Sequence, residues 1–120
     1  MNLFDSSALL VLLQGEPGAD LVEEVLTAGA VSAANWSETA QKVRQSGARW
    51  TLARALLLSY DVTVEPVLLE DAERAAALWR QGSGLSLADR LCLATRERLG
   101  AIAWTADRAW GASAVIRQVR

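Results

Sequence analysis

The chain has 120 residues, 52% hydrophobic and 22% charged, with a formal net charge of −2 at neutral pH. That is enough polymer to bury a core, and one domain spanning residues 1–120 is expected; the balance is too apolar for a disordered chain. With no histidine and a single cysteine, Cys92, several chemistries drop out: His-assisted serine or cysteine nucleophiles, imidazole general bases, zinc held by histidine or thiolates, and an internal disulfide.

The longest apolar run, Ala8 to Leu13, and shorter ones such as Ala55 to Leu58, are far too short to span a bilayer. Asp5 lies close to the start and no basic segment precedes Ala8, so no secretory leader is expected and a cytoplasmic location is. Eleven of the twelve cationic side chains are arginine, the residue best shaped to grip a phosphate with two hydrogen bonds.

Asn2–Phe4 reads as a first strand leading into Asp5, and Ser6–Leu13 as a leucine-rich helix stopped by Gly15 and Pro17. Pro17–Ala28 sets Leu21, Val22, Val25 and Leu26 on one helical face, with Gly29 expected to close it. Ala30–Ser32 is a brief second strand. Ala33–Gln45 carries a polar helical face that includes Glu38, Lys42 and Arg44, and ends at Gly47. Trp50–Tyr60 is a further helix with Leu52, Leu56 and Leu57 as its inner stripe.

Val62–Val67 reads as a third strand, at a sheet edge because Pro66 has no N–H to donate. Glu70–Gln81 is an alanine-rich helix closed by Gly82 and Gly84. The helix from Ser86 to about Leu99 is apolar on nearly every side of its first turns and is expected to be buried there. Ala101–Trp104 is a fourth strand, Thr105–Trp110 a turn into a short helix, and Val115–Val119 a last strand. This alternation predicts an α/β fold, a three-layer α/β/α sandwich around a mostly parallel sheet. Its functional crevice lies beyond the carboxyl ends of the central strands, where the strand order reverses. Asp5 and Asp107 would face it.

Four acids stand out: Asp5, Glu38, Asp89 and Asp107. Each has a purely local use. Asp5 can cap the helix that follows it, Glu38 can pair with Lys42 one turn on, Ser86 and Asp89 fit a Ser-x-x-acid capping box, and Asp107 can fold onto its own backbone in a turn. Jointly they carry a different message, because each sits beside an apolar segment that delivers it to one edge of one sheet. Clustered carboxylates raise one another's pKa values unless a cation joins them. Oxygen-only ligands suit Mg²⁺ or Mn²⁺, and such a site is what metal-assisted phosphoryl hydrolysis requires. Setting the four acids aside turns the net charge from −2 to +2.

Taken in order, the stretches Leu3–Leu9, Ser32–Glu38, Leu85–Ala94 and Thr105–Trp110 resemble those of PIN-domain proteins, most of all the VapC-type toxin ribonucleases of toxin–antitoxin pairs. The resemblance covers essentially the whole chain. It implies that Asp5, Glu38, Asp89 and Asp107 hold one or two Mg²⁺ or Mn²⁺ ions, and that Ser7, Asn35 and Thr105 orient those acids by hydrogen bonds. At the position two residues after Asp107, where members often carry a further acid, this chain has Ala109. The implied activity is endonucleolytic hydrolysis of RNA by a metal-activated water, leaving a 5′-phosphate and a 3′-hydroxyl. The implied partners are an RNA substrate, a cognate antitoxin and a second copy of the chain, with no membrane. Arg90 and Arg108 directly follow site acids and are candidates to clamp the substrate phosphate, or to pair with surface acids. Trp36, Trp50 and Trp110 can stack on bases or serve the core, and Cys92 reads as a small core residue.

Other readings are a PIN-domain nuclease for RNA processing that is not a toxin, and an inert PIN-fold binding module. An intact acidic set argues against the second. A phosphoacceptor receiver domain shares the length and an acidic pocket, but it needs a lysine after the last-but-one strand. The only lysine here is Lys42, within a helix.

Overall fold

The computed structural model describes residues 1–120. Its elements in chain order are β1 (Asn2–Phe4), α1 (Ser6–Gln14), α2 (Ala19–Leu26), β2 (Ala30–Ser32), α3 (Ala33–Gln45), α4 (Trp50–Ser59), β3 (Thr63–Glu65), α5 (Leu69–Ala77), α6 (Leu87–Leu99), β4 (Ile102–Thr105), one 3₁₀ turn at Arg108–Trp110, and β5 (Ile116–Gln118). The strands form one sheet in the order β3-β2-β1-β4-β5, with every pair parallel. The chain therefore winds from β1 outward to β3, returns across the sheet and continues from β4 to β5. The reversal falls between β1 and β4, and β3 is an edge strand that stops just before Pro66.

Alternation along the strands divides the core in two. Phe4, Val31 and Trp104 point to one face, where they meet Ala8, Leu9 and Val11 of α1, Val22 and Leu26 of α2 and Leu57 of α4. The Phe4 and Trp104 rings stack at 6.5 Å there, an arrangement worth about 0.5–1.5 kcal/mol beyond burial. Leu3, Ala30 and Ala103 point to the other face and meet Cys92 of α6 and Trp110. Two alanines on that side let α6 lie close over the sheet. Helices thus cover both faces, as a parallel sheet demands. Helix α3 packs against both α1 and α6 and so joins the two helical layers beside the crevice. No helix is long and apolar enough to cross a membrane.

Several local expectations need correction. Helix α2 begins at Ala19 rather than Pro17, and α5 stops at Ala77 rather than Gln81. Gly29 does not close α2 with a left-handed residue. Ala28 takes that conformation, at φ 59°, and Gly29 is needed for room: a Cβ there would meet the Phe4 ring at 2.6 Å. Leu52 and Leu56 are not inward. They are 64% and 44% exposed, because α4 meets the core through Leu57 and leaves these two to line an open groove of about 320 Å³ with Leu10 and Leu13. The start of α6 is also less buried than its composition implies. Leu87 is 58% exposed, since α6 meets the core further along, through Cys92, Ala94 and Thr95.

Away from the crevice, α5 is fastened to α6 by an ion pair between buried Asp71 and half-buried Arg98. Arg98 Nε donates to both oxygens of Asp71, at 2.9 and 3.1 Å, while the Leu68 amide donates to Asp71 Oδ2 at 3.0 Å.

Candidate active site

Asp5 is the first residue beyond β1 and is 2% exposed. Its extended backbone makes it the N-cap of α1, and Oδ1 accepts the Ala8 amide at 2.9 Å and the Ser7 hydroxyl at 2.7 Å. Oδ2 accepts the Thr105 hydroxyl at 2.6 Å. Thr105, the last residue of β4, also accepts the Asp107 amide at 3.0 Å. One hydroxyl thus bridges the strands on either side of the reversal and ties the first acid to the backbone of the last. Ser7 completes the connection, since its oxygen accepts the Ala106 amide at 2.8 Å.

Asp89 and Ser86 form the reciprocal capping box of α6: the Ser86 amide donates to Asp89 Oδ2 at 2.9 Å, and the Asp89 amide to Ser86 Oγ at 3.1 Å. Asp107 caps the 3₁₀ turn through Oδ1, which accepts the Ala109 amide at 2.9 Å. Glu38 makes no pair with Lys42. Its Oε1 instead accepts a hydrogen bond from the Ser6 hydroxyl. Capping and clustering are therefore not rival uses of the three aspartates. The cap consumes one oxygen and aims the carboxylate, while Asp89 Oδ1, Asp107 Oδ2 and Glu38 Oε2 accept no hydrogen bond.

The charges feel one another. Burial pushes the Asp5 carboxyl up to about 6, against the hydrogen bonds from Thr105, Ala8 and Ser7, and the Asp89 charge adds to the rise. Burial also raises Asp89, assisted by the charges of Asp107 and Glu38. The Cys92 thiol, buried beneath Asp5, Asp89 and Glu38, is pushed well up and stays protonated. No cationic side chain enters this circle of acids through a hydrogen bond or ion pair. As placed, no three acids are set to hold one ion between them. The donor chemistry nevertheless fits a hard divalent cation, being all carboxylate oxygen with one free oxygen on each of three acids.

Asn35 is fully buried under this edge. Its Oδ1 accepts the Ser32 hydroxyl at 2.7 Å, and its Nδ2 has no partner. Arg90 is engaged elsewhere, donating from Nη1 to the Ala75 carbonyl at 2.9 Å and so joining α6 to α5. Arg108 is exposed and makes no ion pair. Trp110 belongs to the core, and Trp36 and Trp50 pack edge to face at 5.3 Å beside it.

Two residues at this edge escaped the sequence reading. Ser6 holds Glu38, and only its place next to Asp5 could have drawn notice. Gln118 of β5 donates from Nε2 to the carbonyls of Asp107 and Gly111 at 2.9 and 2.8 Å, bracing the loop that carries Asp107. Nothing in the chain order marks it, because it arrives through strand register opposite Thr105.

No curated protein matches the sequence significantly. Two solved structures are similar throughout. One, a toxin–antitoxin complex from Klebsiella pneumoniae, is 24% identical with a TM-score of 0.82, covering 100% of this chain and 98% of that one. The other, a Mycobacterium tuberculosis VapC toxin that cleaves the sarcin–ricin loop, is 21% identical with a TM-score of 0.74, covering 94% and 97%. The sequence itself matches the PIN domain over residues 3–114, nearly its full length, and the chain belongs to the PIN-domain family.

Proposed function

We propose that this protein is a metal-dependent endoribonuclease and the toxin of a toxin–antitoxin pair, cutting RNA at the edge where Asp5, Glu38, Asp89 and Asp107 gather. The observation that carries the reading is a carboxylate cluster from four elements, at the strand-order reversal, with its most buried member raised to about 6 and no internal cation. Family membership supports nuclease chemistry, and the toxin role is supported by the kinship in fold with a chain of a toxin–antitoxin complex and with a VapC toxin.

Asp5, Glu38, Asp89 and Asp107 would hold Mg²⁺ or Mn²⁺. When bound, such an ion supplies a Lewis acid for the phosphate and lowers the pKa of water. The chain's own residues provide the rest. Ser7 and Thr105 keep both Asp5 oxygens directed, and Gln118 braces the Asp107 loop. The Asn35 side chain hydrogen-bonds none of the acids, contrary to the role expected of it; it accepts the Ser32 hydroxyl, and Ser32 in turn caps the α3 helix that carries Glu38. Exposed Arg108, beside Asp107, is positioned to meet the substrate phosphate. Arg90 is committed to the Ala75 carbonyl and serves the fold. The partners proposed are RNA, an antitoxin and a second copy of the chain.

Incubating the purified protein with a pool of structured RNAs in Mg²⁺, Mn²⁺ or EDTA, beside Asp89→Asn, tests the reading. Discrete cuts with 5′-phosphate ends, lost in EDTA and in the variant, are expected. Cleavage surviving both would sink the mechanism.

A further inference from the structure

The charges of this chain are segregated along its length. Residues 1–41 hold six acids and no base, whereas residues 39–60 hold four bases and no acid. Those four, Lys42, Arg44, Arg49 and Arg54, lie on the second half of α3, the turn after it and the first half of α4. All four are exposed, and none makes an ion pair. Elsewhere the arginines are largely occupied: Arg74, Arg98 and Arg120 pair with acids, and Arg90 and Arg96 donate to backbone carbonyls.

The segregation matters because the catalytic edge is itself negative. A protein of net charge −2 with four clustered carboxylates repels a polyanion unless cations are gathered nearby. Arg44 and Arg49 gather most visibly, lining one open hollow of about 360 Å³ with Trp50 and Thr51. That hollow is linked to the acids by one rigid element. Glu38 lies on α3, and a rise of 1.5 Å per residue sets Lys42 roughly 6 Å and Arg44 roughly 9 Å further along the axis. This is the span of a few phosphates at about 3.4 Å per nucleotide of one strand.

We propose that the α3–α4 hairpin is the surface that grips the RNA backbone, with Lys42, Arg44, Arg49 and Arg54 contacting phosphates on one side of the cut. This rests on the ribonuclease reading above for the identity of the polyanion. The contacts are to phosphate and read no sequence, so the hairpin supplies affinity and register while the base preference is set elsewhere.

The test separates binding from cleavage. Fluorescence anisotropy of a labelled single-stranded RNA in EDTA, where no cutting is expected, is followed across a salt series for the full-length protein. Each phosphate contact to a single strand contributes about 0.7 to the slope of log affinity against log salt. Replacing all four bases by Gln is expected to lower the slope by about 3 and the affinity at low salt by at least about tenfold. Arg80→Gln with Arg117→Gln, on other surfaces, should leave both unchanged, and Arg44→Lys with Arg49→Lys should keep the slope. These side chains are exposed, and an unchanged melting temperature verifies the fold of each variant.

Wild-type affinity and slope in the fourfold variant would overturn the assignment, as would a wild type that binds no RNA. So would a glutamate-rich peptide that binds the hairpin more tightly than RNA at equal charge, which would give the surface to an acidic protein partner. The two readings fail separately. Salt-dependent binding through these four residues without metal-dependent cutting leaves the hairpin assignment and removes the nuclease, and cutting by a fourfold variant that binds normally does the reverse.

Discussion

Asp5 and Asp71 are equally hidden, at 2% and 1% exposed, and burial alone raises the pKa of both. At Asp71 the hydrogen bonds from Arg98 and the Leu68 amide, with the Arg98 charge, outweigh burial and hold the carboxyl below its ordinary value. At Asp5 the donors are the neutral Thr105, Ala8 and Ser7, the nearest charge is another acid, and the carboxyl rises to about 6. The fold completes one carboxylate with its own cation and leaves the other without one. A buried acid with an internal partner fastens two helices, whereas a buried acid among other acids is left without a compensating charge.

Breaking the two sites should therefore have opposite consequences. Asp5→Asn is expected to abolish RNA cleavage by about 10³-fold, equivalent to about 4 kcal/mol of transition-state stabilisation, in a protein that remains folded. Asp71→Ala is expected to leave cleavage of the folded fraction intact while costing about 3 kcal/mol in denaturant melts, because it strips the partner from Arg98 at a buried site.

The same Asp5→Asn variant should be more stable than wild type at pH 7, by about 3 kcal/mol. The sign follows from the direction of the shift. With a folded pKa of about 6 against 3.8, the folded chain holds a proton that the unfolded chain has released between those values. Wild-type stability from this group is thus present below about pH 4 and is lost as pH rises to about 6. The gain in the variant should vanish in urea melts at pH 4 and be complete above pH 6. Asp71, whose pKa is lowered, behaves in reverse, its contribution being present at neutral pH and lost as pH falls. A gain in Asp5→Asn that did not change with pH would break the contrast.

Two smaller effects sharpen it. Thr105→Val removes the hydroxyl shared by Asp5 and the Asp107 amide, and is expected to lower cleavage about 10–100-fold with little change in fold. Mg²⁺ at about ten times its dissociation constant should raise wild-type stability by about 1.4 kcal/mol, read as a shift in melting temperature, and should leave Asp5→Asn unmoved.

Element by element, what could be read from the sequence is what depends on near neighbours. The capping box of Ser86 and Asp89 and the cap at Asp5 were legible because both partners lie within three residues. The local pairing of Glu38 with Lys42, offered by helix spacing, is not formed, because Ser6 from another helix donates to Glu38 instead, and spacing within one helix conceals it. The inward stripe expected of Leu52, Leu56 and Leu57 held only for Leu57. Periodicity reports a preferred face of a helix, whereas the neighbours available to cover that face decide how much of it is buried.

By itself the sequence determined the α/β alternation, the parallel sheet, the absence of histidine and the presence of four acids beside the segments that lead to one edge of that sheet. These follow from local propensity, hydrophobic period and composition, which need no knowledge of distant contacts. Only the tertiary structure decided that Arg98 serves Asp71, that Arg90 is spent on the Ala75 carbonyl, that Gln118 braces the Asp107 loop and that no cation reaches Asp5. Each of those outcomes depends on side-chain directions between residues far apart in the chain, and chain order carries no record of them until the sheet register and the helix packing are set.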